Sequence, residues 1–148
     1  MNIAKRVGAW GDRHHPWIID IIRIVLGAFL LSKGLIFLTN AGYLRFLILD
    51  TKAINTSPGM VTAIIYYVTY MHVLGGGLIV LGLFTRLWAL LQLPIVFAAV
   101  FFVNITAPYV NSELWLSILT LVLLFLFVII GSGPLSLDRL LMRSKNLD

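Results

Sequence analysis

A chain of 148 residues that is 60% hydrophobic and only 11% charged has lipid as the solvent for most of its surface. Its net charge of +5 is scattered between apolar blocks, as topology signals are, and forms no continuous basic patch for nucleic acid. With no cysteine, disulfides, thiolate metal sites, iron–sulfur ligation and direct thiol redox by this chain are excluded.

Residues 1–16 carry Lys5, Arg6, Asp12, Arg13, His14 and His15, with Trp10 and Trp17 suited to the headgroup level. A basic start before an apolar run has the outline of a signal peptide. The run is about twice the usual h-region, however, and it contains Asp20 and Arg23 with no clear small-x-small cleavage site after it. Retention of the segment is therefore expected.

The first span is predicted over about residues 17–39. At about 1.5 Å per residue it reaches roughly 33 Å, enough to cross the ~30 Å hydrocarbon core with some tilt. It carries Asp20, Arg23 and Lys33, which lipid does not tolerate on a lone helix without cost. The other apolar stretches must pack around it. A polar connection follows over residues 40–59, with Arg45, Asp50, Lys52 and the breaker Ser57-Pro58-Gly59. Its middle, residues 43–49, is expected to form one or two interfacial turns.

The second span is predicted over about residues 60–84 and the third over about 86–107. Phe84-Thr85 alone separates these runs, so a tight antiparallel hairpin is expected, with Thr85 as the N-cap of the third span. Pro94 should kink that span or free a carbonyl near Leu90. Pro108 to Ser112 makes a short turn, and Glu113 falls in the first turn of the fourth span, about residues 114–130. That span is the most uniformly apolar and is expected to be the most exposed to lipid. Gly131-Ser132-Gly133-Pro134 stops it, and Ser136 can cap a short interfacial helix over residues 137–142 that rests on an anionic membrane surface.

The resulting architecture is all-α: a single membrane domain over residues 1–148, built as an antiparallel four-helix bundle with a short interfacial C-terminal helix. Seven basic residues outside the spans (Lys5, Arg6, Arg13, Arg86, Arg139, Arg143 and Lys145) fall on the side of both termini, against Arg45 and Lys52 on the other. Positive-inside counting puts both termini in the cytoplasm.

Asp20 and Arg23 share a face, and Gly27 and Gly34 continue it. Either the pair is an ion pair that fixes packing, or it lines a ligand or proton path. Lys33 lies roughly 9 Å below the outer end of its span by helix rise. It either snorkels to the headgroups or turns inward to a carbonyl, a carboxylate or an anionic ligand. His72 falls near mid-membrane, with Thr69 and Gly76 on its face. It is either a neutral histidine satisfied by a hydroxyl or carbonyl, or a proton-exchanging, quinone-facing one. Gln92 and Asn104 suit bonds between helices. Lys33, Tyr66 or Tyr70, and Asn104 fall in the outer half and can line one outward-opening pocket for a carbonyl headgroup or small anion. The run Gly75-Gly76-Gly77 lies within an apolar helix and follows no strand, so it is a packing feature and no nucleotide loop. No serine–histidine–acid set or metal-ligand cluster appears. Neither a metal nor a haem is expected, since no second histidine stands at a suitable depth.

Arg23-Ile24-Val25-Leu26-Gly27, Ser32-Lys33-Gly34, Gly82-Leu83-Phe84-Thr85-Arg86, Val100-Phe101-Phe102-Val103-Asn104 and Gly131-Ser132-Gly133-Pro134-Leu135-Ser136-Leu137-Asp138, in this order and spacing, resemble the DoxX family over about residues 19–141. The resemblance implies a four-helix integral protein of the bacterial inner membrane. Some relatives are subunits of a thiosulfate:quinone oxidoreductase or are linked to a terminal quinol oxidase. Others belong to membrane complexes that resist oxidative or thiol stress, and a distant branch comprises cargo receptors. The expectation for this chain is a membrane subunit near quinone or quinol chemistry, with a membrane or soluble redox partner or a second copy of itself. In it Lys33 and His72 contact a quinone oxygen, Tyr66, Tyr70 and Asn104 help to line the pocket, and Arg23 and Asp20 act on the inner side. A small-solute transporter working as an oligomer and a non-catalytic assembly subunit are the alternatives.

Overall fold

A computed structural model describes residues 17–50, 57–104, 111–133 and 135–138. Among these residues the elements are helical: α1 (Trp17–Thr39), α2 (Ala41–Asp50), α3 (Pro58–Leu81), α4 (Thr85–Ala98), a π-helical segment (Ala99–Asn104) and α5 (Asn111–Ile130). Four stretches are long and apolar enough to cross a membrane: Trp17–Thr39, Pro58–Leu81, Thr85–Val103 and Glu113–Ile130. The protein is an all-α, multi-pass membrane bundle, and its solvent is the lipid bilayer. The short C-terminal helix expected over residues 137–142 lies mostly outside the described residues.

The start of α1, the α3–α4 turn and the residues after α5 meet at one end. Leu135 N donates to Asp20 Oδ2 at 3.2 Å, and Phe84 N donates to Asp138 Oδ2 at 2.9 Å. Successive spans therefore alternate in direction. The closest pairing is α1 with α3, and glycine makes it possible. A Cβ at Gly27 would stand 2.7 Å from Val80 N, and one at Gly34 would stand 2.7 Å from Val73 N. The glycine stripe on α1 thus points into the bundle. The main core joins four helices through Leu26, Leu30, Ile79, Ala89, Val96, Leu124 and Phe127. A second cluster of Leu44, Ile48, Val61 and Ile65 fastens α2 to α3.

Several boundaries differ from the sequence expectation. α3 begins at Pro58, where a missing N–H costs nothing. It ends at Leu81, three residues before the end predicted from hydropathy. Gly82 takes the left-handed conformation at φ 70°, and two bonds close the helix end: Gly82 N to Ile79 O at 3.1 Å and Leu83 N to Leu78 O at 2.9 Å. This is a Schellman motif, which glycine permits without a Cβ penalty. Thr85 is the first residue of α4 and not its cap. Phe84 holds that place with φ 48°, unusual for a non-glycine residue, and its carbonyl accepts from Trp88 N at 3.1 Å. Residues expected as one or two turns form the ten-residue helix α2, because Leu44 and Ile48 bury against α3. Pro94 sits inside α4 and removes the bond to the Leu90 carbonyl. Five residues further on, the helix widens into the π-helical segment.

Candidate functional site

Two polar centres occupy opposite ends of the bundle. At the end that holds the start of α1, Asp20 and Arg23 are almost completely buried, and Arg23 Nη1 lies 3.4 Å from Asp20 Oδ1. Arg23 also donates from Nη2 to Leu135 O at 2.8 Å and from Nη1 to Ser132 O at 3.3 Å, while Asp20 accepts from Leu135 N. Nearby, Arg86 Nη2 donates to Ile130 O at 3.1 Å and Ser136 Oγ donates to Gly133 O at 2.7 Å. The pair thus clamps the segment after α5 onto the first helix. Neither residue lines the cavity described next, and both make the contacts that the packing alternative requires.

Toward the other end lies a cavity of about 200 Å³. Every helix contributes to its wall: Phe29, Lys33 and Phe37 from α1, Leu44 and Ile48 from α2, Val68 and His72 from α3, Val96 from α4 and Glu113, Ser117 and Thr120 from α5. Ala99, Phe102 and Val103 of the π-helical segment complete it. The lining is apolar except for a few groups, the usual composition of a small-molecule site.

Lys33 Nζ lies 3.3 Å from both Oε1 and Oε2 of Glu113 and 5.8 Å from the centroid of the Phe29 ring. Its side chain is 27% exposed and that of Glu113 is 45% exposed. Lys33 therefore meets a carboxylate from another helix and does not stand alone as a snorkelling cation. The pairing leaves no net charge at this point. A small anion would have to compete with Glu113, so a neutral carbonyl fits Lys33 better.

His72 is buried, with Nδ1 2.9 Å from Val68 O. A carbonyl oxygen only accepts, so Nδ1 carries the proton and Nε2 of the neutral ring is an acceptor. The ring meets Phe37 edge-on, with centroids 5.7 Å apart at 72°. The wall thus offers a donor at Lys33, an acceptor at His72 Nε2 and a carboxylate that orients the donor. Thr120 is turned back on its own helix, donating to Leu116 O at 2.7 Å.

The remaining candidates are placed differently. Tyr66 and Tyr70, expected beside Lys33, lie on the outward face of α3, because that helix turns His72 inward and the tyrosines away. The side chain of Asn104 lies outside the described residues. Gln92 Nε2 donates to Met71 O at 2.6 Å and ties α4 to α3. Among the described residues, no three His, Asp or Glu side chains gather as metal ligands would.

Glu113 is the functional candidate that sequence reasoning missed, since an acid in the first turn of a helix reads as a complement to its dipole. Depth was the available signal. In alternating spans the end of α1 and the start of α5 lie on the same side, which brings Lys33 and Glu113 to similar levels.

A family model described as DoxX matches residues 18–105, which runs from α1 past the π-helical segment and stops before Glu113. Searches of curated proteins and of solved structures found no match. The match takes in more than half of the sequence and three of its four spans, and on that basis the chain belongs to the DoxX family.

Proposed function

We propose that this protein is a membrane subunit serving quinone- or quinol-linked redox chemistry, with the cavity as the seat of a quinone headgroup. The observation that carries the proposal is the meeting of Lys33, His72 and Glu113 in one mostly apolar cavity of about 200 Å³. An apolar cavity of about 150 Å³ holds benzene. The space here therefore suits one substituted six-membered ring, whose hydrocarbon tail would leave between helices into lipid.

A quinone bound there would supply two-electron, two-proton chemistry. Lys33 would hydrogen-bond a ring oxygen, and Glu113 would fix the direction of its N–H groups. His72 Nε2 would be the acceptor for a proton leaving the reduced ring. Phe29, Phe37 and Phe102 would help to keep water out of the cavity. Asp20 and Arg23 act structurally at the opposite end. The resemblance to quinone-linked relatives supports the same ligand class, and a membrane or soluble redox partner would complete the electron path. We place the protein in the bacterial inner membrane with both termini in the cytoplasm, on the asymmetry of the basic residues between the two sides.

The test is quinone retention. Protein extracted in mild detergent from quinone-containing membranes is expected to carry close to one quinone per chain by mass spectrometry. Lys33→Met and His72→Phe are each expected to lower that content at least tenfold. Wild-type protein that retains no more quinone than an unrelated four-span protein would overturn the proposal.

A further inference from the structure

The outward face of α3 departs from the rest of the lipid-facing surface. Tyr66, Tyr67 and Tyr70 are 59%, 47% and 53% exposed, and the rings of Tyr66 and Tyr70 stack with centroids 6.3 Å apart. α3 runs Pro58–Leu81, so Tyr70 stands at its midpoint and Tyr66 one turn away. At about 1.5 Å per residue, all three fall within ~6 Å of the middle of the span. Tyrosine normally gathers at the two membrane interfaces, where the ring meets lipid tails and the hydroxyl meets water. Hydrocarbon gives a phenol no partner, and an unsatisfied polar group there is costly. Among the described residues, none of the three hydroxyls makes a hydrogen bond. The outward faces of α1 and α5, with Val25, Val122 and Phe125, are hydrocarbon at comparable depth.

We propose that this face binds a second copy of the chain, α3 against α3, in parallel about a two-fold axis along the membrane normal. Ala63 and Leu74 are exposed and continue the tyrosine face at helical spacing, so the stripe spans about three turns. It carries no charge, which selects a partner within the bilayer. A two-fold axis along the normal sets each tyrosine opposite its own counterpart at the same depth. A phenol is both donor and acceptor, so two copies of one residue satisfy each other. Self-association therefore supplies the missing hydrogen bonds with no group beyond those on this face.

Cross-linking tests the proposal directly, because the chain has no cysteine of its own. Ala63→Cys and Leu74→Cys, oxidised with copper phenanthroline in native membranes, are expected to give homodimer at least tenfold above Val122→Cys on α5. Adding Tyr66→Phe and Tyr70→Phe to Ala63→Cys is expected to weaken dimerisation about 3-fold for each hydroxyl lost, the typical worth of an interhelical hydrogen bond in a membrane. Cross-linking no higher than at Val122→Cys overturns the proposal. So does a predominant adduct with a different protein, or a dimer that is indifferent to the loss of both hydroxyls.

Discussion

At Gly76 a Cβ would stand 2.5 Å from Leu31 N and 2.9 Å from Gly27 O, both immovable backbone. At Gly77, the next residue, a Cβ would meet nothing within 4 Å. The two neighbours therefore respond in opposite ways to the same substitution. Gly76→Ala is expected to destabilise the bundle by about 1–3 kcal/mol through overpacking. Gly77→Ala is expected to be neutral or to stabilise by up to about 1 kcal/mol through helix propensity. Thermal unfolding in detergent measures both. A glycine run inside an apolar stretch was readable as a packing feature, because nothing else in lipid calls for glycine. Which member bears the close approach was not readable, since it depends on the angle at which α1 crosses. The same limit hid Glu113. Its depth could be counted along the chain, but its rotation toward Lys33 could not.

Among the elements, hydropathy located the spans but not their ends. α1 has the predicted limits because charged or polar residues bracket it closely. α3 stops at Gly82 while apolar residues continue to Phe84, since a left-handed residue ends a helix whatever its neighbours' polarity. α2 was underestimated because burial of Leu44 and Ile48 against α3, and not strong periodicity, makes it a helix. The clamp between α1 and the segment after α5 belongs to this scale. Removing one partner of a buried ion pair costs about 3–5 kcal/mol, because the other charge stays buried. Arg23→Met is expected to destabilise by an amount of that order and to release the residues after Gly131. Ser136 is 3% exposed, so a Ser136→Cys reporter should react slowly with a maleimide. Its labelling is expected to accelerate at least tenfold when Arg23→Met is added.

The whole molecule was the most legible scale. Four apolar runs, short connections and few charges leave little besides an antiparallel bundle in a membrane. The structure adds that one end is a charged lock and the other is a cavity, with the apolar core between them. The lock gathers the beginning of the first span, the second turn and the end of the last span on one side. With the orientation proposed from the basic residues, reporter tags at both Met1 and Asp148 are expected to be accessible from the cytoplasm and shielded from the periplasm, by protease protection of intact spheroplasts. A tag at Asp148 digested from outside would invert the orientation. The tyrosine face shows the opposite balance: tyrosines near the middle of a span are visible in the sequence, but their outward direction is visible only once the helices are packed.

The reach of Arg23 across the molecule also orders events during synthesis. Its carbonyl acceptors at Ser132 and Leu135 leave the ribosome more than a hundred residues after it does. Until then the guanidinium and the carboxylate of the nascent first helix have only each other, and their backbone partners at Ser132 and Leu135 do not yet exist. A translation product cut short after Ile130 would contain all four spans and still lack the backbone groups at Ser132 and Leu135 that close them.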